Sequence, residues 1–127
     1  MGRPVVFVVS ADAAVSDSVK NLVESAGLPA ETFRSLQAFL DTVEPGLRGC
    51  LVLDTYVGDL RDPQWQASLA VAYTRMPGLL IADRGDVPTA VRAVKAGAMD
   101  VVQKPYLNEN LLDIINKTLQ ADAAANS

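Results

Sequence analysis

Three places in the chain carry residues able to do chemistry together. Asp54 closes the apolar run CLVLD at 50–54, Lys104 follows a short apolar run near the C-terminus, and Ser10-Ala11-Asp12 follows VVFVV at 5–9. A carboxylate at the end of a buried apolar strand needs a partner, because an unpaired buried charge is costly. Lys104 is the obvious partner. Two readings of such a pair stand side by side. One is a structural ion pair at a sheet edge. The other is a nucleophilic carboxylate with a cationic helper, suited to taking up a phosphoryl group. Two further acids lie near the same places. Asp12 precedes a helical pattern, so capping is preferred over turning back to a site. Asp83, with Arg84 beside it, is preferred as a solvated loop charge over a site carboxylate.

The rest of the composition removes other chemistry. The 127 residues contain no histidine, so Ser-His-Asp, Cys-His and histidine-metal sites are excluded. Cys50 is the single cysteine, which rules out an internal disulfide and fits a reducing cytoplasm. With 11 basic and 15 acidic residues the net charge is −4, and no basic run is present, so direct binding of nucleic acid is not expected. No apolar run approaches membrane-spanning length, and no signal-peptide cleavage pattern follows the N-terminus. Half of the residues are hydrophobic, enough for a core without metal or disulfide staples.

The elements that must position these residues alternate regularly. Apolar runs at 5–9, 30–33, 50–54, 79–82 and 99–102 read as strands. Between and after them come helical patterns: Val15, Val19, Leu22, Val23 and Ala26; Leu36, Phe39, Leu40 and Val43; Trp65, Leu69, Ala72 and Met76; Val87, Ala90, Val91 and Val94; and Leu107, Leu111, Leu112, Ile115 and Leu119. Asp12 and Ser35 are placed as N-caps, Pro88 falls in a first turn, and Gly27 and Gly97 are stops. Residues 55–63 form a loop pattern. Cys50 and Trp65 are read as core. Five βα repeats imply an α/β, doubly wound parallel sheet of order 2-1-3-4-5. Residues 1–120 make one domain, and 121–127, small and polar, are expected to be a disordered tail. In such sheets ligands bind beyond the carboxyl ends of the strands, where strand order reverses, which puts Asp54 opposite Ser10 and Ala11.

The segments CLVLD at 50–54, GDVPTAVRAVKAGAMD at 85–100 and QKPY at 103–106, supported by ESAG at 24–27 and SLQAFL at 35–40, are similar to the receiver domains of two-component response regulators. The resemblance runs from about residue 5 to 119 and is greatest to the FixJ-like branch. It implies the flavodoxin-like, CheY-like fold. It also implies that Asp54 is the acceptor of phosphate from a kinase histidine, and that Lys104, followed by a cis proline at Pro105, contacts the phosphoryl group.

The chain departs from the family pattern elsewhere. Where the family has two acids that hold magnesium, this sequence has Ser10 and Ala11. Ala82 replaces a hydroxyl that bonds the phosphoryl oxygen, and Val101 replaces an aromatic ring that swings inward on activation. Tyr56, Val57 and Gly58 stand in place of a methionine-proline pair. Magnesium demands near-octahedral oxygen ligands, and a hydroxyl does not replace a carboxylate. One missing donor costs about 2.7–4 kcal/mol of transition-state stabilisation, and a missing metal several more.

The expectation is therefore a degenerate pocket with no cofactor, magnesium binding weakly at most, and phosphorylation weak or absent. The chain then acts as a non-enzymatic signalling module in the cytoplasm, meeting a histidine kinase or another signalling protein, or a second copy of itself. The expected contact surface is Thr89, Arg92, Val101, Gln103 and Tyr106, set against the plainer reading of an ordinary mixed surface. With no ring at Val101, a phosphate mimic should move this face little. The alternative is a phosphorylatable single-domain regulator accepting phosphate on Asp54. A small enzyme or nucleotide binder on the same fold is disfavoured, because SADAAV has no glycine to admit a phosphate.

Overall fold

A computed structural model describes residues 4–44, 46–54 and 63–125. The elements are β1 (Val5–Val9), α1 (Ala13–Ser25), β2 (Ala30–Phe33), α2 (Leu36–Thr42), β3 (Gly49–Asp54), α3 (Pro63–Arg75), β4 (Gly78–Ala82), α4 (Val87–Ala96), β5 (Asp100–Gln103) and α5 (Asn108–Ala125). All neighbouring strands pair parallel, in the expected order β2-β1-β3-β4-β5. The fifth strand lies one residue further along than its apolar run suggested.

Alternate residues of each strand feed two cores. Phe7, Val9, Leu51, Leu53 and Leu80 pack with residues of α2, α3 and α4 on one face. Val6, Val8, Cys50, Val52 and Ile81 pack with α1 and α5 on the other, through Val19, Val23, Leu111 and Ile115. This two-sided cover explains why the central strands are apolar at every position. Phe39 of α2 meets Phe7 and Phe33 edge-on, both at 5.8 Å between ring centroids, which fixes α2 on the sheet. Trp65, Leu69, Ala72 and Met76 are all buried, as their spacing required.

Local signals set the helix ends. Asp12 accepts from the Ala14 amide and Ser35 from the Ala38 amide, both as N-caps. Pro88 lies in the first turn of α4, and Gly97 ends that helix with a positive φ of 114° that favours glycine. Gly49 serves another purpose, since a Cβ there would run into the Val5 carbonyl.

One expectation is corrected. Residues 121–125 do not fray but continue α5. Alanine has the highest helix propensity, and Asp122 is buried, accepting a hydrogen bond from the Gly49 amide at 3.1 Å. Residues 126 and 127, and the loop residues Tyr56, Val57 and Gly58, lie outside the described part. Among the described residues no helix is long and apolar enough to cross a membrane.

Candidate functional site

Because every strand is parallel, their carboxyl ends share one edge, and the sequence-derived candidates meet there. β1 and β3 run in register, Val9 opposite Leu53, so the next residues, Ser10 and Asp54, are brought side by side. Ser10 is anchored by its own amide, which donates to the Phe33 carbonyl at 3.0 Å. Ala82 ends β4, and the Lys104 amide donates to its carbonyl at 2.9 Å, so Lys104 is delivered to the same edge. The Lys104–Pro105 peptide bond is cis, as the family pattern implied.

Asp54 is 1% exposed and grips two side chains. The ammonium of Lys104 donates to Oδ1 at 3.0 Å. The hydroxyl of Ser10, itself 1% exposed, lies 2.7 Å from Oδ2. The Ser10 hydroxyl oxygen is also 3.3 Å from the Asp12 carbonyl, but a hydroxyl has one proton. The shorter contact to a charged acceptor takes it, because charge-assisted bonds are the stronger ones. The Ser10 oxygen in turn accepts the Asp12 amide at 3.1 Å.

The neighbouring acids stand at different distances from this pair. The Asp12 carboxylate is engaged in the helix cap, accepting from Ala14 at 2.9 Å. The Asp83 side chain is 45% exposed and its Oδ1 is 3.8 Å from the Lys104 ammonium. Lys104 therefore sits between two carboxylates, where it supplies positive charge. Ala82 is fully buried and offers no polar atom. Among the described residues, no three His, Cys, Asp or Glu side chains are grouped so as to hold a metal ion. Tyr106 lies close enough to sense the site. Burial pushes its phenol above the usual range, the Lys104 charge opposes that shift, and the Asp54 charge adds to it.

The expected contact surface is divided. Val101 is half-buried and lines an open hollow of about 520 Å³ with Ala90, Val91, Val94 and Met99, with Lys95 and Asp100 also on its wall. Val91, Val94 and Met99 of this lining are exposed. Gln103 is exposed, while Arg92 and Tyr106 are half-buried. Thr89 does not belong to a surface. It is fully buried, and its hydroxyl and amide both bond the carboxylate of Asp86, the N-cap of α4. The Asp86-to-Thr89 spacing before an apolar helical pattern was the signal for this cap. Sequence reasoning also treated Ser10 only as a lost acid and did not foresee its bond to Asp54.

Comparison with known proteins agrees with this fold. The family profile described as response regulator receiver domain matches residues 6–116. The response regulator protein TmoT of Ectopseudomonas mendocina is 38% identical over 116 residues, covering 91% of this chain and 53% of that protein. The transcriptional regulatory protein FixJ of Bradyrhizobium diazoefficiens is 37% identical over 124 residues, covering 96% of this chain and 60% of that protein. The low-resolution structure of the response regulator StyR superposes with a TM-score of 0.84 at 38% identity, over 98% of this chain and 63% of that one. The chain thus spans a little over half the length of these relatives.

Proposed function

The chain belongs to the response regulator receiver domain family, and from that premise we propose that it is an atypical receiver, a protein-interaction module in which magnesium-dependent phosphorylation is weak or absent. One observation carries the reading. Both oxygens of Asp54 are engaged by side chains of the chain itself, Ser10 and Lys104, while no group of three acids stands by to hold a cation among the described residues. A hard divalent ion needs several oxygen ligands. The ammonium of Lys104 supplies one positive charge, half of what such an ion would bring, and shares it between Asp54 and Asp83. The donor set at this edge therefore fits magnesium poorly.

The partner is a histidine kinase or another signalling protein of the cytoplasm, met at the face around Val101, where the apolar hollow between α4 and β5 is open. A second reading has its own support. Asp54 and Lys104 keep the spacing of a charge-assisted pair, 3.0 Å, which is the geometry an acceptor and its cationic helper need. In that reading the chain accepts phosphate on Asp54 from a kinase.

Incubation with acetyl phosphate and magnesium, followed by intact-mass analysis, decides between them. The first reading expects little or no addition of a phosphoryl group. Ready addition that disappears in Asp54→Asn establishes the second. Calorimetric titration with magnesium gives an independent answer, with no tight binding expected.

A further inference from the structure

We propose that Ser10 is a latch on the acceptor: its buried hydroxyl, bonded to Asp54, holds the carboxylate in a closed arrangement that must open before phosphorus is attacked. This rests on the reading of the chain as a poorly phosphorylated receiver and names what restrains its acceptor. Loss of a metal ligand describes what Ser10 lacks. The geometry describes what it does.

The hydroxyl is held by its surroundings. Its oxygen accepts the Asp12 amide, which points its proton at Asp54 Oδ2, 2.7 Å away. Asp12 is itself fixed as the cap of α1, and the Ser10 amide is fixed to Phe33. Turning the proton away from Asp54 exchanges this short bond to a charged acceptor for the longer approach to the Asp12 carbonyl at 3.3 Å.

Phosphoryl transfer from acetyl phosphate forms a bond from an Asp54 oxygen to phosphorus. The bond from phosphorus to the acetate oxygen breaks, and acetate leaves with the electron pair. Lys104 is compatible with that step, because its ammonium also neutralises incoming phosphoryl oxygens. Ser10 is not. Its proton withdraws electron density from the carboxylate that must attack, and it ties that carboxylate inward to a fully buried neighbour. Ser10 is thus a positioning residue acting through Asp54.

The test measures incorporation from acetyl phosphate into the whole chain, with magnesium and with a chelator, by intact mass, with Asp54→Asn as the blank. Ser10→Ala should raise the magnesium-independent rate on the order of tenfold, the equivalent of releasing one hydrogen bond to a charged group. Ser10→Thr, which keeps the hydroxyl, should stay at the starting rate. Ser10→Cys, a weak donor of similar size, should fall between and carries the test if Ser10→Ala does not fold. Unchanged or lower rates in Ser10→Ala and Ser10→Cys overturn the latch, while slow labelling of the unmodified chain still supports the atypical receiver. Rapid magnesium-dependent labelling of the unmodified chain overturns the atypical-receiver reading itself, whatever the variants do.

Discussion

β3 has a buried aspartate at each end, and the two are held in different ways. At its carboxyl end Asp54 meets two side chains, the Lys104 ammonium at 3.0 Å and the Ser10 hydroxyl at 2.7 Å. At its amino end Asp122, reaching over from α5, accepts the Gly49 backbone amide at 3.1 Å, with the Arg48 guanidinium nitrogen at 3.8 Å. Both acids are more than nine-tenths buried. Burial and pairing are therefore shared by the two and do not mark function. The partners do. Asp122 takes a backbone amide at hydrogen-bond distance and the Arg48 side chain more remotely, which closes the fold. Asp54 is tied to side chains at the edge where parallel sheets place their ligands.

Three experiments sharpen or break that contrast. The largest expected effect is at the structural end. Asp122→Ala leaves the buried Gly49 amide without this acceptor, which costs about 2–3 kcal/mol. Urea unfolding should show the loss, and labelling by acetyl phosphate should not change. A change in labelling would mean that the two ends are coupled through the strand.

At the other end, Lys104→Met removes the cation from Asp54. The Lys104 side chain is 26% exposed, so water softens the effect, and about 1–2 kcal/mol of destabilisation is expected. The companion Lys104→Met/Asp54→Asn should recover most of it, because the uncompensated charge is gone. Failure to recover would show that Lys104 supports the edge by packing rather than by charge.

The smallest effect at neutral pH is that of the Cys50 proton, which is read only in alkali. Cys50 lies next to Gly49 in β3, and burial pushes its thiol up to about 12, with Thr118 opposing and Asp122 adding to the shift. The unfolded chain loses this proton near pH 9 and the folded chain keeps it to about 12. Its stabilising contribution is therefore whole below pH 9 and is lost as pH rises towards 12. The expected slope is about 1.4 kcal/mol per pH unit for one such proton. Unfolding titrations of Cys50→Ala should be flatter by that amount across the same window. An unchanged slope would assign the alkaline loss to other buried groups, such as Tyr73, whose phenol burial also shifts upward.

Most of the architecture could be read from periodicity, because the three central strands, β1, β3 and β4, are buried on both faces and the helices present one face to the sheet. VVFVV and LLIA have no polar interruption, and Asp12, Ser35 and Gly97 mark helix ends by their own chemistry. The meeting of Asp54 with Lys104 could also be read, since strand order alone places both at one edge. What could not be read depends on side-chain direction. Ser10 differs from an acid by what it donates, and only the register of β1 against β3 shows where its proton goes. Thr89 looked like a surface residue because its buried turn is made by a bond to Asp86. The C-terminal residues looked loose because their small side chains drew attention away from alanine's helix propensity and from a single buried acid that reaches another element.

The length of α5 gives the molecule a mechanical property. Its 18 residues make a rod of about 27 Å. It starts shortly after Lys104 and ends just past Asp122, so it runs the full height of the sheet and is pinned near the far end. A load applied to its last turns, whether by further chain or by a docked protein, is borne by Gly49 at the foot of β3, the strand whose other tip is Asp54. The Asp122–Gly49 bond makes the far end of α5 a brace for the foot of β3 and leaves the Asp54 tip to its own side-chain partners.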